Sequence, residues 1–190
     1  LRLFVALEVP ENVRRALAEL IAKLRPAAPA ARWVRAENIH VTLKFIGEVP
    51  PGQLDPIRGA LSAMRLDAAV SIRFRGLGFF PNDRRPRVFW AGMDASENFA
   101  PLAASIEAAL APLGIPRESR PFTPHLTLAR FPEPRPAPEL LEAVAPLLDK
   151  EFGSATTSEF HLMESRLKPG GAQYTRLATF SFAPLRAQGE

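Results

Sequence analysis

Two histidines in this chain stand in the same phrase. His40 opens "HVTL" and His125 opens "HLTL", 125 − 40 = 85 residues later. Only one further histidine exists, His161. Threonine fills 7 of 190 positions, so a Thr two places after a chosen His is about a 4% accident. Two such accidents among three histidines, both followed by Leu, call for a cause.

In a strand, residues i and i+2 share a face, about 7 Å apart. His40 and Thr42 then point one way, as do His125 and Thr127, while Val41, Leu43, Leu126 and Leu128 turn to the other face and anchor a core. Histidine exchanges a proton near neutral pH. A neutral imidazole can take a proton from an attacking water while a protonated one gives a proton to a leaving oxygen. Two hydroxyls can donate to the non-bridging oxygens of a phosphate, whose charge grows at the transition state. A pair of His–Thr units related by a pseudo-twofold axis would clamp a phosphodiester from both sides, with attacking and leaving oxygens in line. Hydrolysis of a cyclic phosphodiester needs this, and it needs no metal. Two plainer readings stand beside it. Each phrase can be the polar face of a strand at a lobe junction. A histidine-only metal site is the other, but neither motif carries an acidic partner, which makes a poor zinc site.

The elements that must hold these residues follow from periodicity. "LRLFVALEV" reads as a buried first strand, not a signal peptide. A helix follows over 11–25, with Val13, Leu17, Leu20, Ile21 and Leu24 at helical spacing. A short strand sits around Trp33, then "IHVTLKFIGEV" alternates as a strand until Pro50-Pro51-Gly52. "QLDPIRGALSAM" is a helix. "AAVSIRFRGLGFF" and "RPRVFWAGM" are strands joined by "PNDRRP". The next helix begins at Ser96, with Glu97 in its first turn, and ends near Gly114. "PFTPHLTLARF" is a strand and "APELLEAVAPLLDKE" a helix. "FGSATTSEFHLMESRL" and "QYTRLATFSFAPL" are the last strands, separated by "KPGGA". Each half thus carries an H-x-T-L strand, a Pro-rich break, a helix and two strands, which is a duplication signal. The fold class is α+β, with two similar lobes presenting their motifs to a shared cleft.

Composition sets the bounds. At 190 residues the chain fits one domain of two intertwined lobes, 1–190. With 47% hydrophobic and 23% charged residues it has the make-up of a soluble globular protein. Net charge is +4, carried by Arg more than Lys, and Arg offers a bidentate fork to phosphate. There is no Cys, which removes disulfides, thiolate nucleophiles and cysteine zinc sites, and fits a reducing cytoplasm. No run approaches the ~18–20 apolar residues of a membrane span. Nothing demands an oligomer, and a monomer is expected.

"RLFVALEVP", "HVTLKFIGEV", "FTPHLTLARF" and "ESRLKPGGAQY" together resemble the RNA 2′,3′-cyclic phosphodiesterases, or 2′-5′ RNA ligase family, of the two-histidine phosphoesterase superfamily. The resemblance runs from Arg2 to about Phe182 in the family's order. It implies a bilobal pseudo-twofold fold, antiparallel sheets lining a central groove with helices outside. It implies hydrolysis of 2′,3′-cyclic phosphate ends of RNA or nucleotides to 2′-phosphomonoesters, without a cofactor, and a reversible 2′-5′ ligation. His40 and His125 match the catalytic pair, Thr42 and Thr127 the phosphate donors, and Arg130 the basic residue after the second motif. For a 2′-phosphate product the 3′ oxygen must leave, so the resemblance makes His125 the base and His40 the acid. An RNA or cyclic-nucleotide binding module using the same groove without turnover is the competing class.

The remaining candidates depend on strand parity. Lys44 shares parity with His40 and Thr42, which carries it toward the cleft as a substrate contact. Arg130 has the wrong parity relative to His125, and reaches the cleft only if the strand ends or bulges after Leu128. Phe122 and Tyr174 can stack a base, whereas Phe45 is assigned to the core. His161, without a Thr at i+2, is structural or exposed, and the Arg-rich turn 82–87 is solvated or follows an RNA backbone.

Overall fold

The computed structural model describes residues 1–120 and 123–184; Phe122 lies outside them. In chain order the elements are β1 (Arg2–Leu7), α1 (Glu11–Leu24), β2 (Arg32–Trp33), β3 (Val41–Glu48), α2 (Leu54–Ser62), β4 (Val70–Phe80), β5 (Val88–Ala95), α3 (Phe99–Leu110), β6 (His125–Arg130), α4 (Pro138–Val144), β7 (Glu151–Thr157), β8 (Glu159–Lys168) and β9 (Gly171–Ser181). Pro10 precedes α1 and Glu11 lies in its positive first turn. The helix buries Val13, Leu17, Leu20, Ile21 and Leu24, the stripe that the spacing predicts. α3 starts later than Ser96. The Ser96 hydroxyl accepts from the Ser71 amide at 3.0 Å and donates to Asn98 Oδ1 at 2.5 Å. It therefore ties β4 to the loop before α3 and leaves the helix uncapped.

The strands form two antiparallel sheets, β3-β1-β8-β9 and β2-β6-β5-β4-β7. The repeat is visible in this order. β1-α1-β3-α2-β4 makes one half and β5-α3-β6-α4-β8 the other. The third strand of each half crosses to the other sheet, β4 pairing with β5 and β8 with β1. The run 152–167 is therefore two strands, not one. It breaks at Ser158, with β7 on the second sheet and β8 on the first. One contiguous apolar core includes Val5 and Leu43 of the first sheet, Phe74, Phe89 and Leu128 of the second, and Leu17, Ile57, Ile106 and Leu140 of the four helices. Among the described residues, no helix is long and apolar enough to cross a membrane.

Both motif strands are bulged at the same letter. Along β1, Val5 faces Lys44 and Ala6 faces Thr42, so Leu43 has no partner opposite. Along β5, Phe89 faces Ala129 and Trp90 faces Thr127, so Leu128 has none. An extra residue resets the alternation of faces beyond it. On β6 the reset brings Arg130 to the exposed face that carries Thr127. On β3 it overturns simple parity. Leu43 and Lys44 are both buried, and Phe45, paired with Phe4, stands on the open face at 68% exposure. The assignment of Phe45 to the core is thereby corrected.

Lys44 is corrected with it. Its ammonium turns into the protein, 2.9 Å from Glu107 Oε1 on α3, and donates to the Pro116 carbonyl at 2.6 Å. A buried ammonium needs such partners, because losing hydration without replacement is prohibitive. Lys44→Ala leaves the Glu107 carboxylate largely buried without its cation, and should cost about 3 kcal/mol. Urea denaturation checks this through the unfolding midpoint. A midpoint within experimental error of wild type would contradict the buried pair.

Candidate active site

The two sheet faces carry matching constellations, built by matching local devices. His40 follows a 3₁₀ turn over Ala36–Asn38, and its Nδ1 lies 3.2 Å from the Asn38 carbonyl. His125 opens β6, and its Nδ1 lies 2.9 Å from the Thr123 carbonyl. Each ring nitrogen thus meets the carbonyl two residues back. A carbonyl only accepts, so Nδ1 carries the proton in each neutral ring and Nε2 is left for a ligand. The turn under His40 is held in place. The Asn38 side-chain amide donates to the Ala172 carbonyl of β9 at 2.8 Å, and Arg14 of α1 donates to the Ala36 carbonyl at 2.6 Å. Thr42 and Thr127 are each half-buried, one strand position past the first core residue of the motif. The two motif strands are linked by a short segment. The Val34 amide donates to the carbonyl of the bulged Leu128 at 2.9 Å, and His40 follows six positions on.

The surroundings of the two histidines differ. His40 sits among rings, with centroids 5.9 Å from Tyr174 and 6.4 Å from Phe4, and Phe4 lies 6.3 Å from Phe45. Burial holds the His40 imidazole below its ordinary value. The hydrogen bond to Asn38 opposes this, Arg14 pushes it further down, Glu8 pulls it up and Arg176 pushes it down. His125 is exposed. Beside it, β5 presents Gly92 opposite His125 and Trp90 opposite Thr127. The Trp90 indole lies over Gly78 of β4, so closely that a Cβ at Gly78 would meet the ring at 2.1 Å. A side chain there is excluded, and the glycine makes room for the ring.

His40, Thr42 and Tyr174 therefore share one sheet face, and His125, Thr127 and Arg130 the other. Lys44 belongs to neither. The turn 82–87 is closed by Asn82, whose Oδ1 accepts from the Arg84 and Arg85 amides at 3.0 Å. His161 is buried rather than exposed, and it adjoins the site. It stands in the cross-sheet row Thr42–Ala6–His161–Thr179, with Nδ1 2.9 Å from Thr179 Oγ1. Glu8 completes this corner, 3.0 Å from Arg176. Burial and then Arg176 lower the His161 imidazole, so it stays neutral near neutral pH. Sequence reading missed Phe4, Glu8, Trp90 and Arg176. Phe4 and Glu8 were within reach, since alternation in β1 places them on the face opposite Leu3, Val5 and Leu7. Trp90 and Arg176 carried no local signal. Among the described residues, no three His, Asp or Glu side chains gather into a group that could hold a metal ion.

The chain and its fold have clear relatives. The family model of the 2′-5′ RNA ligase superfamily matches residues 10–169. A Thermus thermophilus protein named RNA 2′,3′-cyclic phosphodiesterase is 40% identical over 189 residues, covering 95% of this chain and 90% of that protein. Its namesake from Methanothermobacter thermautotrophicus is 35% identical over 180 residues, 94% of this chain and 97% of the relative. Among solved structures, Thermus thermophilus TT0787 aligns with a TM-score of 0.79 at 36% identity, covering 96% of this chain and 98% of the other. Escherichia coli LigT complexed with 3′-AMP aligns at 0.77 and 28% identity, covering 95% and 97%. With its paired H-x-T strands, its exchanged third strands and a family match over most of its length, this chain belongs to the 2′-5′ RNA ligase superfamily.

Proposed function

We propose that the chain hydrolyses 2′,3′-cyclic phosphate ends of RNA or nucleotides to 2′-phosphomonoesters, without a metal. The observation that carries this reading is the repeated ring anchor. Two imidazoles, on matching strands of two sheets, each spend Nδ1 on a backbone carbonyl and keep Nε2 for the groove. The names of the relatives support the substrate class, and the 3′-AMP complex of LigT supports a nucleotide in the groove.

The steps follow from the chemistry of these groups. The cyclic phosphate lies between the two motifs. The Thr42 and Thr127 hydroxyls donate to its non-bridging oxygens, where negative charge grows. Water attacks phosphorus in line with the P–O3′ bond, and neutral His125 takes its proton at Nε2. The P–O3′ bond breaks, and protonated His40 gives the Nε2 proton to O3′. The phosphate stays on O2′. Arg130 adds a cation on the His125 side. Phe45 and Tyr174, beside His40, offer faces to the base of the cyclic nucleotide. Replacing water by the 5′-hydroxyl of another strand gives a 2′-5′ linkage, and the reverse reaction cleaves it.

A 2′,3′-cyclic mononucleotide incubated in EDTA should yield the 2′-phosphate. His40→Ala and His125→Ala should each lower kcat by about 10²–10⁴-fold. Thr127→Val should lower it by about 10²-fold. Binding without turnover in wild type would instead favour the binding-module reading.

The pH profile has a determined sign. His40 as acid must be protonated, so kcat/KM falls with rising pH through the His40 pKa of the free protein. Burial places that limb on the acid side of an ordinary histidine, about 6.5. Arg176→Gln removes a cation that lowers His40, so the limb should move to higher pH. A limb moving to lower pH would contradict the assignment.

A further inference from the structure

Hydrolysis leaves one part of the groove unused. A cavity of ≈ 420 Å³ opens on the second sheet, lined by Arg75, Trp90, Gly92, Asp94, Pro124 and Leu148 among others. Its size falls within the range of about 300–1,000 Å³ usual for small-molecule sites. It begins at the catalytic histidine, because Gly92 is the register partner of His125 and Pro124 precedes it in the chain. Trp90 forms a wall. Its indole is settled over Gly78 and only half-buried, so part of the ring is open to a ligand. Arg75 stands nearby, its Nε 4.0 Å from the Asp94 carboxylate, with the guanidinium still accessible to solvent.

We propose that this cavity holds a nucleoside with a free 5′-hydroxyl, the first residue of a second RNA strand. The inference rests on the function proposed above and names the nucleophile's binding site. In-line displacement decides which nucleoside goes where. O3′ leaves toward His40, so the ribose of the cyclic end lies on the first sheet's side, against Phe45 and Tyr174. The attacking oxygen lies on the far side of phosphorus, at His125, where the cavity begins. A base stacked on Trp90 would bring its 5′-hydroxyl to the place water otherwise takes. The 5′-O–H proton passes to His125, the P–O5′ bond forms, the P–O3′ bond breaks, and His40 protonates O3′. The product is a 2′-5′ phosphodiester with a 3′-hydroxyl, and no further reactant is needed. Arg75 is placed to meet the phosphate on the 3′ side of the incoming nucleoside.

The test compares two reactions of one enzyme. One is hydrolysis of a 2′,3′-cyclic mononucleotide, which leaves the cavity empty. The other is cleavage of a 2′-5′-linked dinucleotide carrying a 3′-phosphate, which fills it. Trp90→Ala should lower the ratio of kcat/KM for dinucleotide cleavage to that for hydrolysis by about tenfold, as loss of one stacking platform implies. Arg75→Gln, at a half-exposed side chain, should lower the same ratio and decides the matter if Trp90→Ala does not fold. An unchanged ratio, or equal loss in both reactions, would overturn the nucleoside site. So would a wild type that hydrolyses the cyclic mononucleotide but leaves the dinucleotide intact, while the proposed hydrolysis would stand. A wild type inert toward both would overturn the proposed function and the nucleoside site with it.

Discussion

Leu43 and Leu128 are each one residue too many for the strand they face. Much of the groove depends on these two insertions. Each lets a strand hold its His and Thr toward the open face, then bury two consecutive residues. Leu43 and Lys44 go inward on β3, and Leu128 and Ala129 on β6. The next side chain turns back toward the groove. The bulge thereby re-aims the position five places after each histidine, and local extra twist of the strand comes with it. In one half that position is Phe45, in the other Arg130. The same device yields an aromatic contact on one side and a cation on the other.

The two halves are alike in frame and unlike in furnishing. The first sheet puts Ala6 opposite Thr42 and a ring, His161, on the next strand. The second puts a ring, Trp90, opposite Thr127 and Gly78 on the next strand. In each case one small residue makes room for one large one, with the order reversed. A symmetric scaffold thus carries unlike side chains on its two faces. The exchange of third strands helps to hold the two motifs in fixed relation, because neither sheet is completed by its own half. Separating the halves would expose the hydrogen-bonding edges of β1 and β5, which carry cost when unpaired in the interior.

What was legible in the sequence was what repeats. The H-x-T spacing, the aliphatic letters between and the helical stripe of α1 are local patterns, and each fixes a face without reference to the rest of the chain. The Arg130 parity conflict was legible too, because a cation expected beside its motif but carried on the opposite face signals a bulge. The same logic applied to β3 would have sent Lys44 inward and Phe45 outward, but Lys44 met the simple alternation and raised no conflict. The run 152–167 looked continuous because a strand that passes from one sheet to another needs only one residue, Ser158, out of register. Trp90 and Arg176 came from packing between strands distant in sequence, which periodicity does not encode.

The account turns on a single in-line displacement between two imidazoles, with no covalent intermediate on either ring. Stereochemistry at phosphorus tests it most directly. A 2′,3′-cyclic phosphorothioate of known configuration, hydrolysed in ¹⁸O-labelled water, should give a product inverted at phosphorus. Retention would mean two successive displacements through a phosphorylated histidine, and would contradict the assignment of His40 and His125 as acid and base.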